Sequence, residues 1–157
     1  MWRWCCPVRE SDGDLAELDR TFEELRRRWR VRLRRATREA LGDAVGLRAF
    51  PLLEQLVERG PLSPTELAQR LELRTSTIAA HIDRLEELGW AERSGQGRKG
   101  VQVSATAQGA VAHGRYLELR RRMLSELVAP MGGRDVRELG RLLQELLRGL
   151  LPEAGER

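Results

Sequence analysis

The stretch from Ser63 to Gly89, SPTELAQRLELRTSTIAAHIDRLEELG, constrains the fold more than any other part of the chain. It opens with the signature of a helix start. Ser63 stands at the N-cap, Pro64 at the first helical position and Glu66 where a capping box places its carboxylate. A short helix carrying Leu67, Ala68 and Leu71 follows. LELRTS interrupts it, and a second, longer helix begins after Arg74 or Thr75. Ile78, Ile82 and Leu85 fall at i, i+4 and i+7 and give that helix one buried face. Two helices joined by a tight turn, the second the longer, make a helix-turn-helix. With Ile78 turned inward, Ser76, Ala80, Asp83 and Arg84 turn outward and Thr77 lies on the flank. Small and hydroxyl side chains near that N-terminus admit a duplex closely, and its amides and dipole favour phosphate. Ser76 and Thr77 are candidate phosphate donors, Ala80 a contact for a thymine methyl, and Arg84 a contact for phosphate or guanine.

Directly after Gly89 comes WAERS, then GQGRKG, then VQVSA. Gly95 to Gly100 fits G-x-G-x-x-G, the pattern of a dinucleotide cradle. That cradle needs a buried strand before it and a helix starting within it. Here the preceding segment is short and polar, the following one alternates like a strand, and no second βαβ unit exists. The segment therefore reads as a β-hairpin whose glycines serve the turn, with Arg93, Arg98 and Lys99 on or near its tip. A basic hairpin beside a recognition helix is the wing of a winged helix, and its arginines can enter a minor groove.

Amphipathic helices flank this middle. From Asp14 onward, Leu15, Leu18, Phe22, Leu25, Trp29, Leu33, Ala36 and Ala40 step by three and four along one long helix. Its other faces carry nine arginines between Arg20 and Arg38 against Glu23 and Glu24; this is either a basic arm for DNA or the solvated side of an amphipathic helix. A second helix spans about Asp43 to Arg59, with Pro51 inside it, and ends at Gly60. Ala105 to Ala129 is helical, and Val136, Leu139, Leu143, Leu146 and Leu150 form another stripe. Apolar stripes on long terminal helices pair with another chain or pack within the monomer; the expectation is a homodimer built from the two ends. The fold class is thus mainly α with a small β-hairpin. The organisation is a disordered tail (1–13), an N-terminal dimerisation helix (14–42), a winged helix-turn-helix lobe (43–104), C-terminal dimerisation helices (105–151) and a tail (152–157).

The segments ELAQRLELRTSTIAAHIDRLEELGWAERSG and VQVSATAQG, through the elements ELA-x-R-L, ST-I, DRLE-x-LG and V-x-V-S-x-T-x-x-G, resemble the MarR family of winged helix-turn-helix transcription regulators. The matching helix order extends over roughly Asp14 to Leu150. The resemblance implies a homodimer, often a repressor, that binds a palindromic operator in double-stranded DNA and is often relieved by a small molecule. The residues read as DNA contacts are Arg74, Thr75, Ser76, Thr77, Ala80, Arg84, Arg93, Arg98 and Lys99; of these, Arg98 and Lys99 are only approximate counterparts of the family's wing arginine. The chain departs from the family's pattern in three places. Its wing tip is short and lacks the family's Asp, Glu72 replaces the usual Gly before the turn, and Ala80 occupies a position that often holds Arg. Trp29, Phe50 and Tyr116 are candidate lining for an effector pocket.

Composition narrows the alternatives. The 157 residues suit one domain, too few for a two-domain dehydrogenase. Of 28 basic residues only Lys99 is lysine, and the net charge is +4. Arginine suits phosphate, but a genome-wide coding preference explains the same usage. From Gly60 to Ser104 there are six basic and six acidic residues, so the lobe is not net basic. A winged helix that serves as a protein-interaction module without sequence-specific DNA binding is the competing reading. No apolar run approaches the roughly 20 residues of a membrane span, and MWRWCCPVRESDGD has no signal-like stretch; a cytoplasmic protein is expected. The two Cys and two His have no metal-like spacing, and no cofactor or catalytic arrangement emerges. Cys5 and Cys6 are adjacent and unsuited to a structural disulfide; they are either redox thiols or an incidental part of the tail.

Overall fold

The computed structural model describes residues 12–42, 46–47, 49–95 and 100–150. Element order is α1 (Asp12–Leu41), α2 (Ala49–Arg59), α3 (Pro64–Arg70), α4 (Thr75–Glu87), β1 (Ala91–Ser94), β2 (Gln102–Ala105), α5 (Ala107–Val128) and α6 (Gly133–Leu150). The chain forms two compact units, Met1–Tyr116 and Leu117–Arg157, with the boundary inside α5. Among the described residues no helix is long and apolar enough to cross a membrane. Cys5 and Cys6 lie outside the described residues.

The first unit is a helical lobe closed by a hairpin. Ser63 caps α3 as its spacing predicts: its hydroxyl accepts from the Glu66 amide at 3.2 Å, and its own amide donates to the Glu66 carboxylate at 2.7 Å. That carboxylate's hydrogen bonds to the Ser63 hydroxyl and amide hold its pKa below the usual range. The core joins Phe50, Leu52 and Leu53 of α2, Leu67 of α3, Ile78, Ile82 and Leu85 of α4, and Val103 of β2, none more than 1% exposed. Antiparallel pairing sets Ala91 opposite Ala105 and Ser94 opposite Gln102. A bridge from Leu62 to Val103 adds a third short piece to this sheet, with reciprocal N–H···O bonds of 3.0 and 2.8 Å.

The second helix is described from Ala49, with Pro51 in its first turn, where its missing N–H has no helical acceptor; its expected start near Asp43 lies outside the described residues. One span differs from the sequence reading. The stripe of α1 is buried only in its second half. Leu33 and Thr37 are covered, whereas Leu15, Leu18, Phe22 and Leu25 remain about half exposed.

In the second unit, α5 continues from Leu117, with Leu119 and Met123 buried one turn apart. A turn at residues 129–132 leads into α6. Leu139, Leu142, Leu143, Leu146 and Leu147 form an exposed apolar face on α6, while Arg141 pairs with Glu138 and Glu145 on another.

Candidate nucleic-acid interface

Helix α4 is positioned by three buried residues of its inner face, Ile78, Ile82 and Leu85, so its outer face is determined. Ser76 and Ala80 are exposed there, with Thr77 and Arg84 half-buried at the edge. Arg74 is the N-cap, extended at φ −68°, ψ 143°, with no side-chain hydrogen bond to the cap. The first-turn amides have no acceptors further back in the helix, and no acidic residue crowds them. Arg74, Thr75 and Ser76 therefore surround a helix N-terminus suited to an anion.

The turn that sets the α3–α4 angle carries strain. Glu72 has φ +53°. The Leu73 amide reaches the Ala68 carbonyl at 3.0 Å and the Glu72 amide reaches Gln69 at 3.4 Å. That is a Schellman ending, whose left-handed position usually belongs to Gly. The same motif ends α4 with its usual residue: Gly89 has φ +69°, and the Trp90 amide reaches Leu85 at 2.8 Å.

The wing is anchored at its base. Arg93 of β1 donates to Asp83 of α4 at 2.6 Å and also pairs with Glu86, whose carboxylate accepts from the Arg93 amide at 3.0 Å. Sequence reasoning placed Arg93 with the DNA-facing arginines; the structure places its guanidinium against two carboxylates of α4. Arg84 likewise pairs with Glu87 along α4. Arg74 makes no ion pair among the described residues. Arg98 and Lys99 lie outside them. At the loop ends, Gly95 has φ +94°, and a Cβ there would stand 2.8 Å from the Gly100 carbonyl oxygen.

Two further residues join the end of α4 to the start of α5. The Thr106 hydroxyl donates to the Gly89 carbonyl at 2.6 Å and accepts from the Gly109 amide at 3.0 Å. Gly109 sits so close to Trp90 that a Cβ would lie 2.0 Å from the Trp90 carbonyl oxygen. The T-x-x-G spacing carried that signal, although sequence reasoning gave it no role.

Of the three aromatic residues expected to line an effector pocket, Trp29 is half-buried on α1. Phe50 and Tyr116 stack on each other with ring centroids 3.9 Å apart and planes 8° apart, so their facing surfaces are spent on packing. Among the described residues, the buried polar atoms without a hydrogen-bond partner include Thr37 Oγ1 on α1 and His113 Nε2 on α5. No group of His, Cys, Asp and Glu suited to a metal occurs among the described residues.

Comparison with known proteins agrees with this geometry. A sequence model of the MarR family matches residues 45–100, the stretch from α2 to the wing. The HTH-type transcriptional regulator PecS of Dickeya dadantii (strain 3937) is 28% identical over 110 residues, and the match spans 66% of this chain and 66% of that protein's length. A MarR family protein from Bacillus stearothermophilus superposes with a TM-score of 0.71 at 25% identity, over 90% of this chain and 98% of that one. Streptococcus pneumoniae FabT, solved in complex with DNA, gives a TM-score of 0.74 at 17% identity, over 87% of this chain and 96% of that one; at that identity the likeness is one of fold.

Proposed function

We propose that this chain is a MarR-type winged helix-turn-helix transcriptional regulator that acts as a homodimer on a palindromic operator. In this reading α4 enters the major groove and the wing lies over the adjacent minor groove. The observation that carries it is the outer face of α4: a small, hydroxyl-bearing surface that begins at Arg74, with three buried residues fixing its rotation. Arg74, Thr75, Ser76 and Thr77 take phosphate, Ala80 a thymine methyl, and Arg98 and Lys99 the wing's phosphate contacts. Arg93 holds the wing rather than the DNA.

The dimer is supported by apolar faces that each unit leaves open on its own account, Leu15 to Leu25 on α1 and Leu139 to Leu147 on α6. A small-molecule effector is supported by the family likeness alone. A second reading, a protein-interaction module, draws on the balanced charge of the lobe and on the pairing of Arg84 and Arg93 with its carboxylates. Competition between the gene's own upstream DNA and random DNA at physiological salt separates them: preference for the former supports the regulator, and equal affinity supports the module.

A further inference from the structure

The positive charge of this protein is not on the lobe that reads DNA. Residues 26–38 of α1 contain eight arginines and no acidic residue, while the whole chain carries +4. A segment of +8 leaves the rest of the molecule at −4. The lobe from Gly60 to Ser104 is balanced, and two of its arginines are paired with its own carboxylates. Long-range attraction for a polyanion therefore centres on α1.

Within α1 the arginines are not equivalent. Arg26 pairs with Glu23, Arg27 and Arg28 with Glu24, and Arg35 with Glu39. Arg30 and Arg34 form no ion pair among the described residues. They flank Val31, which is 65% exposed, and share one side of α1 with Arg35, Arg38 and Glu39. Arg26, Arg30, Arg34 and Arg38 stand at successive steps of four, a spacing at which like charges disfavour the helix. A bound polyanion would relieve that repulsion. From Arg30 to Arg38 the row spans about 12 Å of helix, over which one DNA strand presents three to four phosphates at about 3.4 Å of axis each.

We propose that the Arg30–Arg34 face of α1 is a second nucleic-acid contact, one that holds the phosphate backbone of duplex DNA without reading sequence. Charge complementarity selects a polyanion as this occupant, because residues 26–38 present eight arginines with no acidic residue among them; the acidic first half of α1 in a second copy is the competing occupant that the sedimentation arm of the test separates. The proposal rests on the DNA-binding reading only in its choice of polyanion.

The test is the salt dependence of binding to a long random-sequence duplex, with self-association followed by sedimentation in parallel. Each phosphate contact contributes about 0.9 to the slope of log K against log salt. The Arg30→Ala/Arg34→Ala variant removes no close ion pair, only a longer-range attraction between Arg30 and Glu23, and should lower that slope by about 2, whereas Arg30→Lys/Arg34→Lys should keep it. An unchanged slope in the alanine variant overturns the proposal. So does a weakening that appears only together with loss of self-association, which assigns the face to a second copy, and so does wild-type protein that binds no duplex. Failure of the operator reading looks different: wild-type protein binds specific and random duplexes equally, yet the slope still falls in the alanine variant.

Discussion

Arg93 on β1 and Asp83 on α4 are joined by a 2.6 Å charge-assisted hydrogen bond. The link crosses ten residues of sequence and ties the base of the hairpin to the middle of α4. With Glu86 as its second acceptor, Arg93 is a positioning residue: it sets where the wing leaves the lobe. Partly exposed ion pairs contribute little each, so the consequence is mainly one of geometry. Arg93→Ala should lower stability by about 1 kcal/mol in urea unfolding, with the Arg93–Asp83 coupling read from a double-mutant cycle. It should leave the salt slope of DNA binding nearly unchanged. A slope lowered by a full phosphate contact would return Arg93 to the DNA-facing set.

Glu72 occupies a left-handed position at φ +53°, a conformation that costs an L-residue roughly 1–2 kcal/mol. Glu72→Gly should raise stability by about 1 kcal/mol, part of the relief being offset by glycine's greater freedom in the unfolded chain. Equilibrium unfolding measures it. The same change at Leu71, whose φ is −95°, should destabilise.

Gly109 is required by close approach. Its alanine variant would push a Cβ into the Trp90 carbonyl, 2.0 Å away, and should cost about 2–3 kcal/mol or more. Gly114, on the same helix, has open space at that position. Gly114→Ala should be neutral or stabilising by up to about 1 kcal/mol. Thermal unfolding of the two variants side by side checks the contrast.

The Ser63–Glu66 capping box gives a pH signature. The Glu66 carboxyl is held below its ordinary range by hydrogen bonds from Ser63. Its contribution is therefore complete above the unfolded value, about 4.3, and is lost as pH falls through the lowered folded value. Ser63→Ala should cost about 1 kcal/mol at neutral pH and flatten the acid side of the stability curve. Parallel loss for wild type and variant between neutral pH and pH of about 3 would contradict that coupling.

Much of this molecule was legible in its residues because the relevant physics is local. The cap of α3 is set by three residues within four positions. The inner face of α4 follows from the spacing of Ile78, Ile82 and Leu85, all fully buried. What was not legible depends on how elements meet. Arg93 looks like any wing arginine until β1 packs beside α4 and brings Asp83 and Glu86 to it. Gly109 looks like a helix-weakening glycine until Trp90 is set against it. The stripe on α1 reads as continuous, yet the fold covers only the half around Leu33 and Thr37.

The central claim is that α4 and the wing recognise a specific palindrome, and selection of bound fragments from a random DNA pool tests it most directly. The account predicts enrichment of an inverted repeat with half-sites about one helical turn, or 10–10.5 bp, apart or a multiple of it, and loss of that enrichment in Ser76→Glu, where a carboxylate would face phosphate. A pool that remains random after repeated selection, from protein that is folded and dimeric, would contradict it.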